Sequence, residues 1–323
     1  MLGAIVITGS VESQRDTGRI PSASASNWHN WHSCPTSIPV LGCTTVVRTV
    51  DQLRHSGIDE VSVFGGRSQS ITGSYADIEA HAWRTAATQL RDYREDGLET
   101  VFVQRTGAYV ECDVASFIGQ HQQEGQSVTR AVDKDGPLEI WAVDLRRFDD
   151  TEDLFSALAV ANAAECEIAG YVNRLQDPQD LRRLATDLLT GKCRMRPHGV
   201  ETRPGIWIDE GAQVSRGARV VAPAYIGRDT RIADDCLITR CSNVESWSHI
   251  DFGTAVEDSS ILTNTYVGIG LDLSHSIVDG NKLLNLQHDV RLHISDPVVI
   301  RRNSELVYQR KEQSQREASE IVL

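Results

Sequence analysis

The stretch Ile208-Asp209-Glu210-Gly211-Ala212-Gln213-Val214-Ser215-Arg216-Gly217-Ala218-Arg219-Val220 sets an aliphatic residue at every sixth position, and the series continues through Ile226, Ile232, Ile238, Val244, Ile250, Val256 and Leu262. Such a run at one period is an internal repeat. Small or polar residues fill the intervals, among them Gly211, Ala212, Gly217, Ala218, Gly227, Asp234 and Asp235. A period of six suits no amphipathic helix, whose apolar face recurs about every 3.6 residues. It suits one short strand and one tight corner per hexad, with the aliphatic side chain pointing inward and small residues turning the corner. Three hexads close a triangular coil, so the expectation is a left-handed parallel β-helix of hexapeptide repeats over 203–287.

The ten aliphatics make about three coils, and Tyr266 to Leu284, with Ile277 and Leu283 six apart, continues them after a slip in register. A stack of coils must be capped at its ends. Arg203-Pro204-Gly205 is suited to opening it, and 288–323 reads as an extended cap followed by a polar tail from Ser304 to Leu323. Upstream, strand-like and helix-like segments alternate over 1–195. Ala4 to Thr8, Glu60 to Phe64, Thr100 to Gln104 and Leu138 to Val143 read as strands; Thr44 to Ser56, Tyr75 to Glu95, Val114 to Glu124, Thr151 to Asn162 and Asp180 to Leu189 read as helices. That alternation predicts an α/β, Rossmann-like domain with a mainly parallel sheet.

Composition narrows the partners. The 323 residues carry a net charge of -13, with 45 acidic against 32 basic side chains, which opposes broad nucleic-acid binding. No apolar run reaches the roughly 20 residues of a membrane helix, so no membrane partner is expected. Seven cysteines without any CxxC fit reduced thiols, and the expected compartment is the cytoplasm.

Three segments carry a resemblance. They are Pro35-Thr36-Ser37-Ile38-Pro39-Val40-Leu41-Gly42 with Ser56-Gly57-Ile58-Asp59-Glu60-Val61; Val101 to Arg130; and Gly170-Tyr171 through Asp177-Pro178-Gln179-Asp180 to Leu189-Thr190-Gly191-Lys192. In this order, and running into hexapeptide repeats, the chain resembles the sugar-nucleotide pyrophosphorylases, nucleotidyltransferases that make NDP-sugars from an NTP and a sugar 1-phosphate. The resemblance implies a Gly-rich phosphate loop after the first strand, a lysine, and two carboxylates that place Mg²⁺. In this chain the loop reads Thr8-Gly9-Ser10-Val11-Glu12-Ser13-Gln14-Arg15, so Gly9, Ser10 and Arg15, with Gly107 downstream, are the remnants carried over. The lysine falls on Thr36, and the two carboxylates fall on Ala108 and Arg174. Between Thr129 and Leu138, where the family places much of its sugar-binding wall, only a short connection remains.

Losing both carboxylates removes metal assistance on the order of several kcal/mol. The implied protein is therefore a catalytically impaired, structural or regulatory subunit, a homo-oligomer or the partner of an active relative, with no cofactor. Glu111 and Asp113, alternating along one strand, are candidates to hold Mg²⁺ in the alternative of an active NDP-sugar synthase. A further alternative is a hexapeptide-repeat acyltransferase. His249, His275, His288 and His293 lie in or beside the repeats, where packed or solvated histidines are the plainer reading. His29, His32 and Cys34 are zinc-like in type, but a closed site needs a fourth ligand. Trp28 and Trp31, in the same insertion, are interface candidates.

Overall fold

The computed structural model describes residues 2–8, 38–65, 75–149, 151–160 and 163–303. They divide into two units: the first strand with Thr44–Asp177, and Ile38–Cys43 with the chain from Pro178. The first unit runs β1 (Leu2–Thr8), α1 (Thr45–His55), β2 (Glu60–Phe64), α2 (Tyr75–Glu95), β3 (Thr100–Thr106), β4 (Tyr109–Cys112), α3 (Val114–Glu124), β5 (Val128–Asp133), β6 (Gly136–Asp144), α4 (Leu154–Val160), β7 (Ala164–Glu167) and β8 (Gly170–Asn173).

Local signals account for the helices. Thr44 caps α1 by accepting the Val47 N–H at 3.3 Å, and Gly57, at φ 85°, lets the chain leave it. Along α2, Ala82, Trp83, Ala86, Ala87, Leu90 and Tyr93 recur at helical spacing and are buried against β1, β3 and β6 residues. Asp113 caps α3 through the Ser116 N–H at 3.0 Å.

Six strands form one sheet in the order β2-β1-β3-β6-β5-β7. β2, β1, β3, β5 and β7 all point one way; β6 runs antiparallel to its neighbours β3 and β5. The sheet is thus mainly parallel, as the alternation predicts, with β6 as its one antiparallel strand. The reason lies at Lys134-Asp135: β5 and β6 are joined by a tight hairpin, and a hairpin forces antiparallel neighbours. A separate antiparallel pair, β4 with β8, completes the unit.

The second unit takes α5 (Pro178–Leu189), which the sequence placed with the first domain. The helix belongs with the repeats because the Arg182 guanidinium donates to the Cys241 carbonyl at 2.7 Å and to Asp258 at 2.9 Å. An antiparallel hairpin of β9 (Val200–Arg203) and β10 (Ile206–Ile208) opens the repeats around Pro204 and Gly205. Beyond it, strands of two to four residues stack in parallel, each beside the strand eighteen residues later: Gln213 beside Arg231, Arg219 beside Leu237, Ala224 beside Ser242. The result is a stack of short parallel strands in three sheets, compatible with a β-helix. Its core contains Ile226, Ile232, Ile238, Val244, Ile250 and Val256, all 2 % exposed or less, with Ile208, Val214 and Val220 packed against it. Each such fully buried side chain contributes roughly 1.5–3 kcal/mol.

The register slip comes earlier than the sequence suggests. After Asn243 the interval falls to seventeen, with Asn243 beside Ser260 and Val256 beside Leu273. One corner accounts for it: Arg240 and Cys241 both take positive φ, whereas the next coil turns on Asp258 alone. The core residues therefore become Ile261, Val267, Leu273 and Val278, not Leu262 and Ile277. A second six-residue series, unremarked in the sequence, runs Thr230, Cys236, Ser242, Ser248 and Thr254 and then, after the slip, Ser259. Their side chains donate to carbonyls of the following coil, such as Ser248 to Leu262 at 3.0 Å and Thr254 to Gly268 at 2.6 Å. At the far end the chain turns back in antiparallel strands, Lys282–Asn285, Val290–His293 and Ile300–Arg302; the first of them falls within the span expected to continue the parallel coils.

Candidate functional site

In the first unit the chain leaves β1 toward β2 on one side, while β3 lies on the other. The C-terminal ends of β1 and β3 therefore meet where strand order reverses, the usual place for a ligand crevice in an open α/β sheet. Hydroxyls tie the strand ends: Thr106 of β3 donates to the Ile7 carbonyl of β1 at 3.3 Å, and Thr8 of β1 to the Phe64 carbonyl of β2 at 3.3 Å. Gly65, at φ 93°, lies so close to the Thr8 hydroxyl that a side chain there would overlap it.

Of the sequence-selected residues, Gly9, Ser10, Arg15, Trp28, Trp31 and Thr36 lie outside the described residues, as do His29, His32, Cys34 and the tail. The others are placed. Gly107 and Ala108 make the turn from β3 to β4, and Ala108 packs against the core that includes Phe102, Val110 and Ile140. Glu111 and Asp113 do not share a strand face, because β4 ends at Cys112 and the chain turns into α3. Glu111 is buried and accepts the Tyr109 hydroxyl at 2.5 Å, whereas Asp113 is an exposed helix cap.

Arg174 is engaged with the turn between β5 and β6. Its guanidinium pairs with Asp133 and donates to the carbonyls of Gly136 at 3.0 Å and Pro137 at 3.3 Å. It thereby clasps the β5–β6 hairpin. Asp133 also accepts the Asp135 N–H at 3.0 Å, an Asx turn that fixes the two-residue connection. Ala108 and Arg174 offer Mg²⁺ no carboxylate, and the Glu111–Asp113 pair is divided between hydroxyl acceptor and helix cap. These residues do not fit a metal. Among the described residues no group of three or more His, Cys, Asp or Glu side chains could hold one.

Neither a family model nor a curated protein matches the chain.

The site's strongest electrostatic feature carries no sequence signature. Arg105, near the end of β3, is 2 % exposed and pairs with Glu79 of α2 at 2.5 Å and with Glu139 of β6. Burial opposes its charge, but the two carboxylates outweigh that and hold its pKa above the ordinary arginine value. His121 of α3, 1 % exposed, bonds the Thr129 hydroxyl at 2.7 Å, and burial pushes its pKa down. Arg105 meets partners 26 and 34 residues away in sequence, whereas His121 and Thr129 meet across the consecutive elements α3 and β5.

Among the repeats, His249 packs edge-on to Tyr266, and Tyr266 lies under the Arg301 guanidinium at 3.7 Å. His293 bonds the Asn281 amide at 3.1 Å, and His288 donates its backbone N–H to Asn285 at 3.0 Å. His275 differs: its Nδ1 bonds Asp258 at 2.6 Å, and Arg182 holds the other oxygen of that carboxylate. No described helix is long and apolar enough to cross a membrane.

Proposed function

We propose that this protein is a nucleotidyltransferase-like chain joined to a left-handed β-helix, descended from the sugar-nucleotide pyrophosphorylase pattern and acting as a structural or regulatory subunit in sugar-nucleotide or polysaccharide metabolism. The observation that carries the reading is the Arg174 clasp. A cation stands where the resemblance calls for a metal carboxylate, and it fastens a two-residue hairpin where the sugar wall would be. Ala108 in the core and Glu111 on Tyr109 support the same conclusion. Without a metal pair the transferred phosphoryl group has nothing to neutralise its developing charge. What remains useful is surface: a stack of repeats and a helical domain on which copies of the chain, or an active relative, can assemble in the cytoplasm.

A pyrophosphate-release assay with NTPs, sugar 1-phosphates and Mg²⁺ tests the loss of chemistry; turnover at ordinary enzyme rates, abolished by Glu111→Gln or Asp113→Asn, would refute it. Light scattering on the intact protein, and on the Trp28→Ser/Trp31→Ser double variant, tests the assembly role. A strict monomer that recovers no relative from cell extract would count against it.

One observation favours a second reading, acyl transfer at the repeats. A carboxylate holding Nδ1 of a part-exposed imidazole orients Nε2 for proton abstraction. A melting-temperature increase with acyl-CoA that is lost in His275→Asn would favour it.

A further inference from the structure

The segment Ile38-Pro39-Val40-Leu41-Gly42-Cys43 lies with the repeats, and the Glu245 side chain receives its turn. Val40 and Cys43 pair as an antiparallel bridge around a two-residue turn in which Leu41 and Gly42 both take positive φ, 51° and 86°. That conformation aims two consecutive N–H groups to one side, the geometry of a backbone anion nest. The Leu41 N–H donates to Glu245 Oε1 at 2.8 Å and the Gly42 N–H to Oε2 at 3.0 Å, so one carboxylate spans both.

Glu245 is fully buried, and its surroundings are built to hold it. The Asn243 amide donates to Oε1 at 2.7 Å, and Ser260 donates to the Asn243 carbonyl oxygen at 2.6 Å, which fixes the amide's orientation. On the other side of the turn the His198 N–H donates to the Leu41 carbonyl at 3.1 Å. Glycine is required at 42, since a side chain would overlap the Tyr225 hydroxyl and approach the His198 Cβ to 2.7 Å. A charged acceptor spanning two amides and fixed by a third donor makes stronger bonds than a neutral one.

We propose that the Leu41–Gly42 turn is an anion site filled by the chain's own Glu245 carboxylate, a latch that holds Ile38–Cys43 on the repeats. A free carboxylate of formate size can then take its place when the side chain is removed. The latch joins positions 204 apart in sequence. It anchors the chain immediately before Thr44, while α5 lies with the repeats after Asp177. The latch does not depend on whether the first unit has activity.

Hydrogen exchange on the full-length protein tests it. In Glu245→Ala the amides of the 38–43 segment should exchange on the order of tenfold faster or more than in the wild type. Formate should restore protection saturably, chloride at equal ionic strength should not, and neither should change the wild type. Glu245→Gln keeps the volume but turns an amide N–H toward a backbone N–H. It should lose protection partly and gain nothing from formate, because the site is filled. Should the alanine variant fail to fold, the glutamine variant alone decides. Unchanged exchange in the variants, or equal slowing by formate in wild type and Glu245→Ala, would overturn the latch.

Discussion

The two units solve the problem of specifying a fold in opposite ways. In the repeats a few contacts recur: an aliphatic stacks on its counterpart, and a small hydroxyl or thiol two positions earlier donates to the coil beyond. In the first unit the deciding contacts occur once each, as when Arg105 reaches Glu79 and Glu139 or Arg174 clasps the β5–β6 hairpin. Repetition spreads stability over many equivalent positions. Singular contacts concentrate it, so substitutions should have nearly even costs among the repeats and sharply uneven ones in the first unit.

The largest effect should come from Arg105→Met. It removes the guanidinium that Glu79 and Glu139 share, and breaking a buried ion pair from one side costs about 3–5 kcal/mol. Adding Glu79→Gln and Glu139→Gln should recover most of the loss, because the cost is stranded charge rather than lost packing. Urea unfolding of the single and triple variants measures both. A loss below about 1 kcal/mol for Arg105→Met would mean the cluster is hydrated and the contrast overstated.

Next in size is the even side of the comparison. Ile232→Ala, Ile238→Ala and Ile250→Ala remove equivalent side chains of one core, Ile232 and Ile250 stacked on one face and Ile238 on the next, each 2 % exposed or less. Each should cost about 2–5 kcal/mol, with the three values close to one another. A spread as wide as that range would show that the coils are not interchangeable, and would point to the corner shortened at Asp258 as the source.

The same contrast explains what could be read in advance. The six-residue period is a local property of the chain, so the repeats were visible from Ile208 onward, as were helices such as Tyr75–Glu95 that combine a cap or breaker with an apolar stripe. The slip was misplaced because Ile261 and Leu262 are both aliphatic, and only the pairing at the corner decides between them. In the first unit β5 lies where the sequence reads as a connection, the strand read at Glu111 and Asp113 stops at Cys112, and β7 and β8 carry no separate signal, since four- to six-residue strands offer too little pattern to separate from loops. Glu79 and Glu139 could not be joined to Arg105 from sequence, because a buried charge cluster has no spacing rule. For the site, the departures at Ala108 and Arg174 were legible, but the use made of Arg174 appears only once the hairpin is seen.

Two glycines sharpen the comparison at smaller cost. Gly170, at φ 155°, lies against the Glu111 carbonyl, and an added methyl would overlap that oxygen and come within 3.3 Å of the Cys112 Cα. Gly170→Ala must therefore separate β4 from β8 and should cost about 2–3 kcal/mol. Gly270 has a similarly positive φ of 65°, but nothing lies within 4 Å of an added methyl, so Gly270→Ala carries only the backbone penalty of about 1 kcal/mol. Thermal melting of the pair would break the argument if the two losses were equal.

The smallest effect appears as a pH dependence confined to the first unit. His121 is buried in its neutral form: desolvation lowers its pKa and outweighs the pull of Asp144 and Glu124 toward the charged form. The unfolded chain returns the imidazole to its ordinary value of about 6.5. Above that pH both states are neutral and the stability from this group is fully present. As pH falls below it, the unfolded state takes up a proton that the folded state refuses, and stability is lost at up to about 1.4 kcal/mol per pH unit until the folded imidazole also titrates. His121→Gln keeps a donor for Thr129 but cannot titrate, so its unfolding free energy should change less between pH 7.5 and 5.5 than that of the wild type. Asp144, Asp153 and Asp251, whose pKa values are lowered from an ordinary value of 3.8, lose their contributions only below this window and do not confuse the measurement. Parallel pH profiles for the wild type and the variant would show that His121 is reached by water, and that the first unit is less tightly closed around α3 and β5 than its 1 % exposure implies.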